Sequence, residues 1–384
     1  MAAQNKDLAK GAFWAFTTQV VYIFVGLLGN IFLARLLIPA EIGLVGIAMF
    51  FVGISSVLVE SGMGGAIVRK LDATNDDYST MFIFNFAVSL VLAGAIFAFA
   101  PYVAALYESP NLKNILRVLS LCLIFNALTI VQSVKLTKLM QFRKMGFMKL
   151  LALSISTVIA VIIAYKGYGI WGLVIQQVAT PFLLMTFYWT KVEGFNRLVF
   201  SKKSFKEMFS FGLFTTLSSL ILTSFDNIYQ LILGKNFTMA QTGYYYQSRK
   251  FQDVIENPSR FVFGGTIYAH LSKFQTNFDE LKAQHYFITR LATIFIGFIT
   301  CSVVLFSEEI IMLLYGLKWL PSAYYLKLLS VAGFFGTLEL LHANFFRIFN
   351  QTHKQFYVEL IKKAFQVITI FIGIYFKSYC GVRE

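Results

Sequence analysis

Long apolar segments with almost no charge are the feature that most restricts the fold of this 384-residue chain. Only 14% of the residues are charged, against about 25% in an average chain, and 57% are hydrophobic. The segments run for about 18–25 residues, the length that an apolar helix needs to cross about 30 Å of hydrocarbon. Because lipid offers no partners to backbone N–H and C=O groups, each segment must be helical. The sequence therefore predicts an all-α polytopic membrane protein.

We expect eleven membrane spans, six before a basic linker and five after it. The predicted domains are an N-terminal lobe of residues 1–190, a cytoplasmic linker of residues 191–207 and a C-terminal lobe of residues 208–384. The first span follows Lys6 and Lys10 without a small-residue cleavage site, so it is interpreted as a retained span and not a signal peptide. In chain order the spans are Ala12–Leu33, Leu44–Ile67, Thr80–Ala100, Ile115–Val134, Leu150–Ala164, Ile170–Thr190, Phe209–Leu233, Tyr246–Ala269, Tyr286–Phe306, Ala323–Phe345 and Val358–Phe376.

The net charge of +14 is distributed as in membrane proteins. With the N-terminus placed inside, the inner loops are rich in lysine and arginine, whereas the outer loops of the same stretch hold little beyond Arg35, Lys113 and Lys166. This positive-inside bias predicts a cytoplasmic N-terminus. A nucleic-acid partner is not expected, because no soluble basic domain exists to bind one.

An internal repeat organises the chain. Phe16-Thr17-Thr18 returns as Phe214-Thr215-Thr216, Gly43 returns as Gly243, and Gly64-Gly65 returns as Gly264-Gly265, at an offset that settles at 200 residues. Later matches, such as Arg117 with Lys327, follow at an offset of 210. Such self-similarity predicts two pseudo-repeated lobes of equal polarity with the substrate site in a central cavity between them.

The repeat also predicts a missing segment. At an offset of 210 the counterpart of Trp171 is Gly381, so the chain stops where a sixth span of the second lobe should begin. Two interpretations stay open, a truncated chain and a natural eleven-span form.

Four charged residues on the eighth span form the strongest candidate site. Arg249, Asp253, Glu256 and Arg260 follow an i, i+4, i+7, i+11 spacing, which places them on one face of a helix. A charged residue at mid-membrane costs roughly 2.5–3.5 kcal/mol, so this face must meet protein or water. One interpretation is a pair of structural salt bridges, Arg249–Asp253 and Glu256–Arg260. The other is a cavity wall whose arginines bind an anionic head group, since guanidinium binds phosphate bidentately.

Two further spans carry polar candidates. On the seventh span Asp226 and Gln230 continue the polar face of Ser219 and Thr223 and could line the same cavity. On the tenth span Glu339 and His342 lie one turn apart and could relay a proton, although a lone histidine is more often simply hydrogen-bonded. The candidates for coupling transport to an ion gradient are Asp226, Asp253, Glu256, Glu339 and His342.

Signatures of enzymes and of cofactor or metal sites are missing from the sequence. It contains no nucleophile elbow, no HExxH pair and no Walker loop. The cysteines Cys122, Cys301 and Cys380 are scattered and lack zinc spacing. We therefore predict a transporter without catalytic residues, cofactors or bound metal.

Several motifs resemble those of one known family. Leu33-Ala34-Arg35-Leu36-Leu37-Ile38-Pro39-Ala40-Glu41-Ile42-Gly43 resembles the signature after the first span of polysaccharide-export (Wzx-type) flippases. These belong to the multidrug/oligosaccharidyl-lipid/polysaccharide (MOP) exporter superfamily. Gln141-Phe142-Arg143-Lys144, Gly169-Ile170-Trp171-Gly172, and Asp226 with Gly234-Lys235 and Gly243-Tyr244 are similar to further family motifs. The resemblance covers nearly the whole chain.

The resemblance implies two six-helix lobes around a cavity and transport by alternating access. The implied cargo is an undecaprenyl-pyrophosphate-linked oligosaccharide repeat unit for O-antigen, capsule or exopolysaccharide synthesis. The implied partners are that lipid, the bilayer and, as further candidates, polysaccharide polymerase and chain-length proteins. A drug antiporter of the same superfamily, an enzyme acting on the same lipid, and an inactive truncated member are the alternatives.

Overall fold

The computed structural model is helical throughout the part of the chain that it describes, which comprises residues 2–192, 194, 197–349 and 351–380. The side chains of 2–13, 15, 260, 261, 264–266, 269, 352, 353, 356 and 376–380 lie outside this description. The chain divides into two compact units, Met1–Tyr246 and Gln247–Glu384. The predicted lobe boundaries, with the change of lobe at residues 191–207, stay a prediction.

Fifteen α-helices are formed by the described residues. They are α1 (Ala2–Leu36), α2 (Pro39–Glu60), α3 (Met63–Arg69), α4 (Asn75–Leu106), α5 (Pro110–Leu119), α6 (Leu121–Lys138), α7 (Phe142–Ile163), α8 (Ile170–Lys191), α9 (Lys202–Asn236), α10 (Met239–Phe261), α11 (Tyr268–Leu271), α12 (Phe278–Leu305), α13 (Ser307–Tyr315), α14 (Ser322–Ile348) and α15 (Thr352–Cys380). Segments of π-helix follow α7 and α10.

Nine helical segments of the described chain are long and apolar enough to cross a membrane. They correspond to the predicted spans one to seven, nine and ten. The predicted eighth and eleventh spans fall on helices α10 and α15, which do not meet the same criteria of length and composition. The all-α polytopic class is confirmed, whereas the span assignment of these two helices stays a prediction.

In the first unit, α1 packs along α7 through small residues. A Cβ atom at Gly29 would lie 2.5 Å from Thr157, and one at Gly146 would lie 2.5–2.7 Å from the side chain of Thr18. Small residues at both crossings allow the two helices to approach closely, as is typical of helices in lipid.

The predicted second span is interrupted near its C-terminal end. Helix α2 ends at Glu60, and Ser61 and Gly62 both adopt left-handed backbone conformations before α3 begins. At Gly62 a side chain would also collide with α9, because a Cβ atom there would lie 2.6 Å from the carbonyl oxygen of Gly212. The glycine is therefore required both by its positive φ and by the close approach of α9.

The first turns of α2 and α10 cross at two glycines. A Cβ atom at Gly43 would overlap the carbonyl oxygen of Met239, and one at Gly243 would overlap that of Pro39. The contact is reciprocal: Gly43 meets the residue equivalent to Pro39, and Gly243 meets Pro39 itself, since Met239 and Gly243 lie 200 positions after Pro39 and Gly43. Reciprocal contact of this kind is typical of elements related by a two-fold axis.

The segment between α8 and α9 is held against α4 by hydrogen bonds. The amide of Val199 donates to Ser79 Oγ (2.7 Å) and the amide of Ser201 donates to Thr80 Oγ1 (2.9 Å). Beside it, Lys70 Nζ lies 3.1 Å from Asp77 and 3.2 Å from Glu207 on α9. The hydrogen bond to Asp77 raises the pKa of Lys70, so the ammonium group stays protonated at neutral pH and pairs with both carboxylates.

In the second unit, α12 and α14 form the main helix pair. Ala292 and Ile296 of α12 pack with Leu341 of α14 and with Phe263 of the π-helical segment in one buried cluster. Asn344 Nδ2 donates to the carbonyl oxygen of Phe263 (3.0 Å), which ties α14 to the backbone that follows α10. This arrangement positions the second half of α10 beside α14.

Candidate functional site

The charged face of α10 forms an ion-pair cluster around Arg249. Its Nε atom lies 3.3 Å from Asp253 Oδ1, and its Nη2 atom lies 3.7 Å from Glu256 Oε2. Successive turns of the helix bring the three side chains together, as the spacing predicts. The Arg249 side chain is 28% exposed and that of Asp253 43% exposed, whereas Glu256 as a residue is only 8% exposed. The cluster therefore has an accessible and a buried carboxylate around one guanidinium.

The buried carboxylate is oriented by an amide from the same helix. Gln252 Nε2 donates to Glu256 Oε1 (3.3 Å), and Ser330 Oγ of α14 donates to Gln252 Oε1 (3.2 Å). Gly333, one turn after Ser330, leaves the space for this contact, because a Cβ atom there would lie 2.8 Å from Glu256 Oε1 and would overlap Gln252 Nε2. A chain of hydrogen bonds thus holds Glu256 in place from the neighbouring helix.

Arg260, the second predicted arginine, has a side chain outside the described residues. The predicted Glu256–Arg260 pair and the role of Arg260 therefore stay predictions. Of the two predicted salt bridges, Arg249–Asp253 is present, and Arg249 also approaches Glu256.

Asp226 and Gln230 lie on consecutive turns of α9 but in different surroundings. Asp226 is exposed, whereas Gln230 is 3% exposed. The amide of Gln230 faces α2 at Gly46, where a Cβ atom would lie 2.6 Å from Gln230 Oε1. Within the described residues this oxygen accepts no hydrogen bond. Gln230 Oε1 is thus a buried acceptor that packs against α2, and the role of Gln230 in binding cargo stays a prediction.

Glu339 and His342 contact different helices. The carboxylate of Glu339 pairs with Lys362 of α15, which also lies 3.1 Å from Glu359. His342 Nδ1 lies 2.7 Å from the carbonyl oxygen of Leu338, and its ring packs edge-on against His285 of α12 at 5.1 Å between centroids. The two side chains are each occupied by a separate partner, and a proton relay between them stays untested.

The polar residues that sequence reasoning missed are buried amides on α10. Gln252 connects Glu256 to Ser330, and Gln247 is fully buried with neither amide atom hydrogen-bonded to any described residue. A sequence signal existed for both, because the residues 200 positions earlier are Ile47 and Val52. Polar residues that replace apolar ones at equivalent positions of a repeat indicate a specialised face. No group of three or more potential metal ligands occurs among the described residues.

A family model described as "Polysaccharide biosynthesis protein" matches residues 32–324, about three quarters of the chain. The chain belongs to this family. The match includes α2, the charged half of α10 and the start of α14. The family match supports the resemblance found in the sequence motifs. The curated relatives that match this chain are also named for polysaccharide biosynthesis or transport.

Three curated relatives span several bacteria. The chain is 22% identical over 289 residues to the succinoglycan biosynthesis transport protein ExoT of Rhizobium meliloti, covering 75% of this chain and 58% of ExoT. It is 21% identical to the lipopolysaccharide biosynthesis protein WzxC of Escherichia coli, covering 87% of this chain and 68% of WzxC. It is also 21% identical to the teichuronic acid biosynthesis protein TuaB of Bacillus subtilis, covering 87% and 69%. This chain therefore spans a little under three fifths of the length of ExoT.

Two solved structures share its fold. One is the lipid II flippase MurJ in an inward closed conformation, with a TM-score of 0.69 and 13% identity over 88% of this chain and 76% of MurJ. The other is an inward-facing multidrug resistance MATE transporter of the MOP superfamily, with a TM-score of 0.66 and 14% identity over 91% and 84%. The predicted membership of the polysaccharide-export family is confirmed at the level of the polysaccharide biosynthesis family model, and the chain is a multi-pass membrane protein with the fold of these two transporters.

Proposed function

We propose that this protein is a transporter that moves undecaprenyl-pyrophosphate-linked oligosaccharide repeat units across a bacterial inner membrane by alternating access. The N-terminus lies in the cytoplasm, and the translocated units feed O-antigen, capsule or exopolysaccharide synthesis. The family model and the relatives named for succinoglycan, lipopolysaccharide and teichuronic acid synthesis support this function. A drug antiporter is less well supported, because its case rests on the shared fold alone.

The placement of Arg249 between two carboxylates supports the proposal most directly. Moving a pyrophosphate through hydrocarbon requires protein groups that replace its water, since an isolated charge at mid-membrane is costly. Guanidinium meets this need because its planar fork donates two parallel hydrogen bonds to a phosphate. Without cargo, a bare arginine would carry the same cost, and Asp253 and Glu256 compensate its charge.

The exposures of the two carboxylates suggest how cargo enters. Asp253 is the more accessible partner, so an incoming pyrophosphate displaces it from Arg249 Nε and takes over the guanidinium. Glu256 stays in place through Gln252 and Ser330. Once the guanidinium is shared with phosphate, Arg249 compensates less of the negative charge of the displaced carboxylate. A proton or a sodium ion then compensates that charge, which couples cargo binding to an ion gradient.

The remaining predicted site residues take supporting roles in this proposal. Arg260 provides a second guanidinium for the pyrophosphate. Gln230 offers its unpaired amide oxygen to a hydroxyl donor of the cargo. Asp226, Glu339 and His342 are the additional candidates for the coupling ion.

Replacing the arginines tests the binding step. Arg249→Ala and Arg260→Ala should each abolish export, because the pyrophosphate loses its guanidinium partner. Lys327→Ala serves as the matched control, since it removes an ion pair with Glu308 (2.9 Å) in the same unit without changing a residue of α10. Surface polymer is measured in a deletion strain at equal membrane levels of each variant. Wild-type polymer in both arginine variants would refute the assignment.

Dissipating the gradients tests the coupling step. Transfer of a labelled undecaprenyl-pyrophosphate oligosaccharide is followed in proteoliposomes with a proton gradient, a sodium gradient or neither. We expect faster transfer with one gradient, and Asp253→Asn should weaken that dependence because it removes a titratable partner of Arg249. Equal rates in all three conditions would exclude coupling while leaving the cargo assignment intact.

A further inference from the structure

A groove of about 610 Å³ lies between α1 and α7, close to the end of α8. It opens beside the tight crossing of Gly146 and Thr18, where the two helices touch. Its described lining residues are Trp14, Thr17, Thr18, Val21, Gln141, Arg143, Lys144, Phe147 and Leu150. None of them is acidic. The groove is lined by residues of the first unit, whereas the charged face of α10 belongs to the second.

One end of the groove carries two cations. The guanidinium of Arg143 stacks over the Trp14 ring at 4.5 Å from its centroid. Stacking fixes the plane of the guanidinium but leaves its N–H edge able to donate to an anion. Lys144 Nζ donates to the carbonyl oxygen of Lys191 (2.6 Å), and an ammonium has three hydrogens, so two are available to another acceptor.

The rest of the groove is apolar. Val21, Phe147 and Leu150 form its walls, and Phe147 is 60% exposed. These side chains lie within one to two helical turns of residues at the basic end, so the groove combines a basic end with an apolar wall. This is the chemistry of a phospholipid site, in which the phosphate meets basic side chains and an acyl chain covers apolar ones.

We infer that this groove binds one anionic phospholipid, with its head-group phosphate on Arg143 and Lys144 and an acyl chain along Val21, Phe147 and Leu150. Charge complementarity decides the occupant. Two cations and no carboxylate among the described lining residues favour a lipid with net negative charge, such as phosphatidylglycerol, over a zwitterionic one. The lipid would fill the surface between α1 and α7 on the side of the membrane where α8 ends.

Native mass spectrometry of the full chain tests the site. Detergent-purified protein is titrated with phosphatidylglycerol or phosphatidylcholine of identical acyl chains, and the first bound lipid is quantified. We expect a preference for phosphatidylglycerol of at least about fivefold, the ratio that corresponds to about 1 kcal/mol, which is the attraction of a single basic residue to an anionic lipid surface. Arg143→Gln/Lys144→Gln should remove the preference. Lys202→Gln/Lys203→Gln, which changes two exposed lysines at the start of α9, should retain it.

A second variant separates the groove from charge alone. Val21→Trp keeps both cations and fills the apolar wall, so it should lower the affinity for the first lipid of either head group. Thermal unfolding shows whether each variant is folded, and Val21→Trp decides the case if the double glutamine variant is not. Equal affinity of the unchanged protein for the two lipids would overturn the inference. So would an equal loss of preference in Arg143→Gln/Lys144→Gln and in the control Lys202→Gln/Lys203→Gln. Competition in which undecaprenyl phosphate outcompetes phosphatidylglycerol severalfold would also overturn it, because the groove would then belong to the cargo lipid.

Discussion

Helices α2 and α10 bury the same positions with opposite chemistry. In α2 the residues at most 2% exposed include Ile42, Ile47, Ala48 and Val52. The residues 200 positions later, Thr242, Gln247, Ser248 and Gln252, are likewise at most 2% exposed. The helices also begin at the reciprocal crossing of Gly43 and Gly243. At these four positions burial has thus been kept while the buried side chains have changed from apolar to polar.

This difference indicates which helix is adapted to packing and which to binding. An unsatisfied buried polar group costs about 1–3 kcal/mol, so polar residues persist at such positions only when they gain a partner or serve a function. Gln252 has gained partners in Ser330 and Glu256, whereas the amide of Gln247 has none among the described residues. Helix α2 is therefore interpreted as a packing element, and α10 as the helix adapted to bind a polar cargo.

The largest expected effect comes from the glycines that the two helices share. Gly43→Ala and Gly243→Ala each place a methyl group onto a backbone oxygen that cannot move aside, at a cost of about 1–3 kcal/mol or more. Gly53→Ala is the matched control, because a Cβ atom there meets nothing within 4 Å. Thermal unfolding of purified protein measures the effect. Equal stability of all three variants would show that the crossing is looser than described and would break the comparison.

Exchanging the charged residues of α10 for those of α2 should have the next largest effect. Arg249→Met removes the guanidinium that lies 3.7 Å from the buried carboxylate of Glu256, so both stability and export should fall. Adding Glu256→Ser, which restores the α2 pattern of Met49 and Ser56, should recover stability but not export. Unfolding temperature and surface polymer are measured in parallel. Recovery of export in the double variant would mean that the pair only supports packing.

The smallest effect is expected from the amide that positions Glu256. Gln252→Val makes α10 resemble α2 at Val52, and it removes the hydrogen bonds to Ser330 and Glu256. The loss should be about 0.5–1.5 kcal/mol of stability, the net contribution of a typical hydrogen bond, with reduced but measurable export, because Arg249 still has both carboxylates. Gln252→Glu, which keeps the acceptor for Ser330 and loses the donor to Glu256, sharpens the result. If Gln252→Val were fully neutral, the hydrogen bonds would have no role in fixing Glu256.

Much of the helical framework could be predicted from the sequence, while its interruptions could not. The span predicted at Thr80–Ala100 lies inside α4, and that at Ile170–Thr190 coincides with α8 to within one residue. The break at Ser61 and Gly62 lies inside the span predicted at Leu44–Ile67, because hydropathy averaged over a whole segment does not resolve the bend that accompanies the approach of α9 at Gly212. Hydrophobicity reports whether a segment is buried in lipid but not where a neighbouring backbone forces it to bend.

The candidate site divides in the same way. The spacing of Arg249, Asp253 and Glu256 predicts one helical face, and the pair of Arg249 with Asp253 follows from helix geometry alone. The contact of Gln252 with Ser330 joins residues 78 positions apart, so no local pattern could reveal it. The same holds for Glu339, whose partner Lys362 lies on another helix.

The amino-acid sequence by itself determined that this chain is a bundle of membrane helices with a duplicated pattern and one charged face. The reason is that lipid leaves the backbone no alternative to helices and makes every charge within them conspicuous. Only the tertiary structure decided which carboxylate is buried, which amide holds it and which glycines allow the helices to cross. Those outcomes depend on atoms from distant segments meeting within a few ångströms, and such distances are set by the packing of the whole unit.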